Sequence, residues 1–149
     1  MEHTSGHASP SCLDGRFSQA VEAEYGRVYD LLVESEGYLA RRPRLATAVP
    51  AEDRSFVVRQ EMRITTRLAA AMAWLMMARA VTAGEIPDHP DALEEVDPFD
   101  LATCCLDTQD HQDDRLPKRL RDLLRRSYLA YIKIVEMDSQ VRGQSQTLH

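Results

Sequence analysis

LAAAMAWLMMARAV, residues 68–81, decides the fold, because Arg79 is its only charged residue. Alanine, leucine and methionine favour helix, since their side chains lose little freedom there. A helix without a polar face must be covered on more than one side. The stretch therefore predicts the central helix of a bundle, with Trp74 mostly buried. A second copy of the chain packed on the same segment is compatible with this prediction. The alternative is that residues 85–115 fold back and cover the segment with Phe99 and Leu106. The candidate dimer or partner face consists of Ala70, Ala73, Trp74 and Met77.

The segments around this stretch predict two further helices. Apolar residues at steps of three and four predict a first helix over about 14–41 and a third over about 116–141. The central helix is expected over 52–83, with Gly84 just beyond its end. We therefore predict an all-α fold, an antiparallel three-helix bundle, in one domain over 14–142. Residues 1–13 are predicted to be a disordered tail, and 143–149 a short polar tail after a stop at Gly143.

The segment 85–115 differs in composition from the helices. It holds eleven acidic residues, and Arg115 is its only Lys or Arg. Prolines at 87, 90 and 98 interrupt it. We predict a long acidic loop between the second and third helices. The loop is expected to be mobile except over about 98–106, where a short helix is predicted.

Composition narrows the class of protein. The 149 residues are enough for one hydrophobic core, and the net charge of −6 gives no general attraction to nucleic acid or anionic lipid. The sequence shows neither a secretory signal nor an apolar run long enough to span a membrane. The three cysteines have no scaffold spacing, which indicates free thiols in a reducing cytoplasm. The expected location is cytoplasmic.

No pattern of residues predicts catalysis. The histidines do not form a zinc-binding pair on a helix, and Cys104 and Cys105 are adjacent rather than separated by two residues. No glycine-rich phosphate loop is present. We therefore expect no catalytic residues, no metal and no cofactor, and a protein that is not an enzyme.

Two polar groups of residues are candidate binding surfaces. The first, Glu61, Arg63 and Arg67, favours interhelix salt bridges, with a polar partner face as the alternative. The second is a basic patch at the start of the third helix. It is interpreted as a solvated face, or as a surface that meets the acidic loop, an acidic partner or, least favoured, nucleic acid. Its members are Lys118, Arg119, Arg121, Arg125 and Arg126.

Two stretches resemble a known family. EMRITTRLAAAMAWLMMARAVTAGEI, residues 61–86, is similar to the E-M-R-[IL]-T-T-R-L, A-x-W-L-[LM] and R-A-V-x-x-G-E motifs of the RcdA family of alphaproteobacteria. LPKRLRDLLRRSYLAYIKIVEMD, residues 116–138, resembles the third helix of that family. Ala130-Tyr131 stands there where Leu-Tyr is expected.

The resemblance implies a dimeric three-helix bundle that acts as a non-enzymatic adaptor. Such an adaptor helps the ClpXP protease degrade cell-cycle regulators such as CtrA, together with a receiver-domain protein that primes ClpX. The family's longer C-terminal tail takes part in delivery, whereas only residues 143–149 follow the third helix here. The alternative is a DNA-binding or transcription-regulatory protein that uses the basic patch.

Overall fold

The structure is a computed structural model that describes residues 15–41, 49–85 and 110–146. It contains three long helices, which we call α1 (Gly15–Ala40), α2 (Arg54–Thr82) and α3 (Lys118–Gln146). Single 3-10 turns at Ala51–Asp53 and Asp110–Gln112 precede α2 and α3. No strand occurs in these ranges. The predicted all-α three-helix bundle is confirmed.

The three helices do not all alternate in direction. Along α2 and α3, the contacts at Phe56 with Arg115, Ala70 with Tyr131, and Trp74 with Asp138 advance together in the sequence. These two helices therefore run parallel. α1 runs antiparallel to both, since its later residues meet the earlier parts of α2 and α3. The antiparallel arrangement predicted for the bundle thus holds only for the pairs that include α1.

α2 is the central helix, as predicted, because it contacts each neighbour more extensively than α1 and α3 contact each other. Its inner side chains join those of both neighbours in one core, in which Trp74 and Leu75 are fully buried. Such interior packing is the main stabilising contribution of a fold of this kind. The core thus determines which side of α2 faces away from α1 and α3.

The ends of the helices follow local chemistry, with one exception. Gly84 adopts a positive φ of 75°, and the amides of Gly84 and Glu85 donate to the carbonyls of Val81 and Ala80. This is the Schellman motif, and it ends α2 one residue before the predicted end. The predicted stop at Gly143 is wrong: α3 continues to Gln146. A glycine inside a helix costs about 1 kcal/mol but does not break the hydrogen-bond ladder.

Buried hydrogen bonds tie α2 to α3. The indole nitrogen of Trp74 donates to Asp138 at 2.9 Å, and both side chains are buried. The buried Arg67 donates to the carbonyl of Leu124 at 3.2 Å and lies over the ring of Tyr128. Because buried polar groups are costly to leave unpaired, these bonds fix the relative register of the two parallel helices.

Several predictions lie outside the described residues. They concern the N-terminal tail 1–13, the greater part of the acidic loop, with its short helix and the two cysteines, and the end of the C-terminal tail. Asp14, the first residue of the predicted first helix, also lies outside them, and α1 is described from Gly15.

Candidate protein-binding site

The side of α2 that faces away from α1 and α3 carries no charge for about five turns. From Met62 to Ala80, the exposed and half-buried positions on this side hold only methionine, threonine and alanine, and the half-buried Arg63 and the exposed Arg79 lie at its edges. We call these positions the outer face. They are Met62, Thr65, Thr66, Ala69, Met72, Ala73, Met76, Met77 and Ala80.

The two threonines do not make the outer face polar. The hydroxyl of Thr65 donates to the carbonyl of Glu61 at 3.3 Å, and that of Thr66 donates to the carbonyl of Met62 at 3.0 Å. Both hydroxyls are therefore satisfied within the helix. The face consequently combines methyl groups, thioethers and self-bonded hydroxyls, and offers a partner no unpaired charge.

The dimensions of the outer face suit a helix or a second bundle. From Met62 to Ala80 it is about 27 Å long at 1.5 Å per residue. Met62 and Met76 are 64% and 58% exposed near its ends, while the small Ala69 and Ala73 lie between them. Methionine adapts to differently shaped partners, and small residues allow another backbone to approach closely. Extended apolar surfaces of this kind mark interaction sites.

The predicted dimer face is only partly on the surface. Ala73 is exposed and Met77 half-buried, and both belong to the outer face. Ala70 is buried and packs on Tyr131 of α3, and Trp74 lies in the core of its own chain. α3 covers these two positions because it packs along that side of α2.

The predicted polar partner face is not a surface. Glu61 and Arg67 are buried and point to different neighbours: Glu61 lies near Tyr38 of α1, and Arg67 contacts α3. Burial raises the pKa of Tyr38, and the nearby carboxylate of Glu61 raises it further. Arg63 is half-buried and donates to Gln60 at 3.0 Å. The prediction of polar interhelix contacts is therefore closer to the structure than that of a partner face.

Four arginines of the basic patch form ion pairs with acids. Arg126 bonds Glu34 of α1 at 2.8 Å, Arg119 lies 3.6 Å from the same carboxylate, and Arg125 bonds Asp122 at 3.0 Å. Arg121 lies 3.4 Å from Asp114, an acid of the predicted loop. The bond from Arg126 lowers the pKa of the Glu34 carboxyl, and the bond from Arg125 lowers that of Asp122.

Sequence reasoning missed one acid that pairs with this patch, Glu34. Glu34 is exposed enough to read as a surface residue of α1, and only the packing of α1 on α3 brings it to Arg126. Asp113 forms a bidentate pair with Arg115, whose guanidinium lies 4.0 Å from the centre of the Phe56 ring. The hydrogen bonds from Arg115 lower the pKa of Asp113 to about 2. The helical spacing of cations in the sequence gives no signal for Glu34, whereas Asp113 belongs to the acidic segment 85–115, which is one of the predicted contacts of the basic patch.

No group of three or more potential metal ligands occurs in residues 15–41, 49–85 and 110–146. None of the helices in these ranges combines the length and apolar character needed to cross a membrane.

These features define a three-helix bundle whose candidate site is the uncharged outer face of α2. Residues 14–149 match DUF1465, described as a protein of unknown function, and the chain belongs to that family. No curated protein and no solved structure matches the chain significantly.

Proposed function

We propose that this protein is a non-enzymatic adaptor that acts in the cytoplasm and binds other proteins through the outer face of α2. Its proposed task is to assist the regulated degradation of cell-cycle regulators by ClpXP. The proposed partners are ClpX with a receiver-domain priming protein, and cargo such as CtrA. The resemblance of residues 61–86 and 116–138 to the RcdA family motivates this choice of partners.

One observation supports a binding role more than any other: the outer face holds nine uncharged positions in one strip along α2, with Arg63 and Arg79 at its edges. Monomeric proteins rarely leave such a strip open to water, because covering it removes apolar area from solvent. A homodimer closed through this face is part of the proposal, since two-fold pairing is the commonest oligomeric arrangement.

Affinity capture from the native cell, with the protease trapped in an inactive form, tests the proposal. The bait is the full chain as wild type, as Ala69→Glu and as Val33→Glu. Ala69 lies in the middle of the outer face, whereas Val33 is an exposed apolar residue of α1 outside that face. We expect wild type and Val33→Glu to retain ClpX or a receiver-domain protein, and Ala69→Glu to lose it.

Two results would overturn the proposal. If neither ClpX nor a receiver-domain protein is retained by folded wild-type bait, the adaptor role is wrong. If both variants retain these proteins equally, the outer face is not the contact surface. Circular dichroism of each bait establishes that it is folded.

The DNA-binding alternative is less well supported. Arg119, Arg121 and Arg126 are partly neutralised by acids of the same chain, so contacts with phosphate would first have to break those pairs. Steeply salt-dependent binding to duplex DNA, abolished by Lys118→Glu, would favour this alternative over the adaptor.

A further inference from the structure

A cleft separates the first turns of α1 from the last turns of α2, at the end of the bundle away from the basic patch. Its volume is about 570 Å³. Glu22 and Tyr25 of α1 form one wall, and Met76, Arg79 and Ala80 of α2 form the other. Glu85, just after the end of α2, stands at the rim. The cleft adjoins the outer face through Met76, which is more than half exposed.

Arg79 shows which chemistry this cleft accommodates. Its guanidinium lies 4.6 Å from the centre of the Tyr25 ring, and its Nε donates to Glu22 at 2.8 Å. An aromatic face with a carboxylate beside it is a favourable environment for a cation. Glu22 and Arg79 remain about half exposed, so an incoming group can reach both.

The cleft has room and charge for a second cation. Its two carboxylates, Glu22 and Glu85, exceed the single cation Arg79 by one negative charge, and the C-terminal end of the α2 dipole adds to the same sign. Tyr29 stacks on Tyr25 with ring centres 6.5 Å apart and is 54% exposed, which extends the aromatic surface. Met76 and Ala80 supply the apolar part of the α2 wall.

We infer that this cleft is a docking site for a segment of a partner protein that carries arginine or lysine beside a leucine-sized apolar side chain. The cation pairs with Glu22 and Glu85 and lies along Tyr29, while the apolar side chain covers Met76 and Ala80. Tyrosine, methionine and arginine are the residue types enriched where proteins bind each other. The inference goes beyond the adaptor proposal, because it concerns a cleft that shares only Met76 and Ala80 with the outer face and does not require a protease.

A binding assay on the full chain tests this site. The probe is a short fluorescein-labelled peptide of alternating arginine and leucine, and the control peptide carries glutamate in place of arginine. We expect fluorescence anisotropy to show that the basic probe binds and that the acidic control peptide does not. Met76→Ser and the double variant Glu22→Gln/Glu85→Gln should each weaken binding about tenfold, since each removes one of the two kinds of contact.

Matched variants separate the cleft from general attraction to an acidic protein. Met62→Ser removes an equally exposed methionine of the outer face about 21 Å away along α2. Glu36→Gln/Glu136→Gln makes the same change of charge at exposed positions elsewhere. Both controls should bind the probe within about twofold of wild type.

Amide chemical shifts locate the probe on the protein. Changes concentrated in residues 18–29 and 76–85 support the inference. Changes concentrated elsewhere, or equal weakening by the cleft variants and their controls, overturn it. It is also overturned if the probe does not bind. If Met76→Ser then dissociates a wild-type dimer, a second copy occupies the cleft.

Discussion

At the scale of single residues, the bond between Trp74 and Asp138 decides how α2 and α3 face each other. Asp138 is only 3% exposed, and a buried carboxylate without donors is costly. The indole N–H meets part of that need while its ring fills the core. One side chain thus combines apolar packing with a directional contact, and it fixes the register of two parallel helices.

We expect Trp74→Ala to lower the free energy of unfolding by about 3–5 kcal/mol, because it leaves a large cavity. Trp74→Phe keeps most of the packing but removes the donor to Asp138, and should cost about 1–3 kcal/mol. Urea denaturation followed by circular dichroism measures both. A cost below about 1 kcal/mol for Trp74→Ala would contradict the central position of this ring.

A second residue-scale prediction concerns Glu34. The bond from Arg126 lowers its folded pKa below the ordinary value of 4.5. The contact therefore contributes stability above pH 4.5 that is lost as the pH falls through the lowered pKa. Glu34→Gln should destabilise the protein at neutral pH, and its difference from wild type should shrink by about pH 3. Urea unfolding at both pH values measures this, with Glu36→Gln on the exposed side of α1 as control. A difference that does not change with pH would contradict the prediction.

The sequence predicts the burial of Trp74 but not the identity of its partner. The absence of charge around Trp74 indicates a covered helix, and burial follows from that. Asp138 lies 64 positions away, and no local pattern marks it as the acceptor. Glu61 and Arg67 show a related limit: the sequence favours interhelix salt bridges for them, but it does not show that packing encloses Glu61 near α1 and Arg67 against α3.

At the scale of elements, α2 has two apolar sides, of which the described residues of α1 and α3 cover only one. The inner side contacts α1 and α3. The outer-face positions remain exposed or half-buried next to the described residues of those helices. The sequence shows that α2 lacks a polar face but does not show which residues the neighbours cover. That division depends on where α1 and α3 pack, which also explains why Ala70 and Ala73 differ in exposure.

Single charges on α2 distinguish its two sides. We expect Ala73→Glu to leave the fold intact and to convert the proposed dimer to a monomer, because the new carboxylate lies on the outer face. Ala70→Glu should instead destabilise the fold by several kcal/mol, since it places a charge against Tyr131. Light scattering and thermal unfolding measure the two effects. Ala20→Glu, at an exposed alanine of α1, is the control for the substitution itself.

A wild-type protein that is monomeric at micromolar concentration would rule out the dimer. A folded, fully stable Ala70→Glu variant would show that α3 does not cover that position.

At the scale of the whole molecule, the parallel direction of α2 and α3 imposes a long connection between them. Phe56 near the start of α2 contacts Arg115 just before α3, so the chain must return from the end of α2 to its beginning. From Phe56 to Thr82 this distance is about 39 Å along the helix. The sequence predicts a long loop here from its acids and prolines, but not the geometric need for it. An antiparallel pair would require only a few residues.

This geometry predicts a threshold length for the connection. Residues 86–109 are replaced by glycine-serine linkers of about 24, 16 or 4 residues, so that only length varies along the series. Linkers of about 24 and 16 residues extend to roughly 80 and 55 Å, and both can span the return. Relative to wild type, the free energy of unfolding should fall by a similar amount with either linker. The free-energy cost of closing the loop differs by less than about 1 kcal/mol between them.

The shortest linker cannot span the bundle. About 4 residues extend to roughly 17 Å, and even with the turn before α3 unwound the reach stays near 33 Å. We expect this variant to unfold, or to pair with a second copy whose α3 completes the first bundle. Circular dichroism and light scattering distinguish these two outcomes. A folded monomer with the shortest linker, as stable as that with the longest, would mean that α2 and α3 run antiparallel.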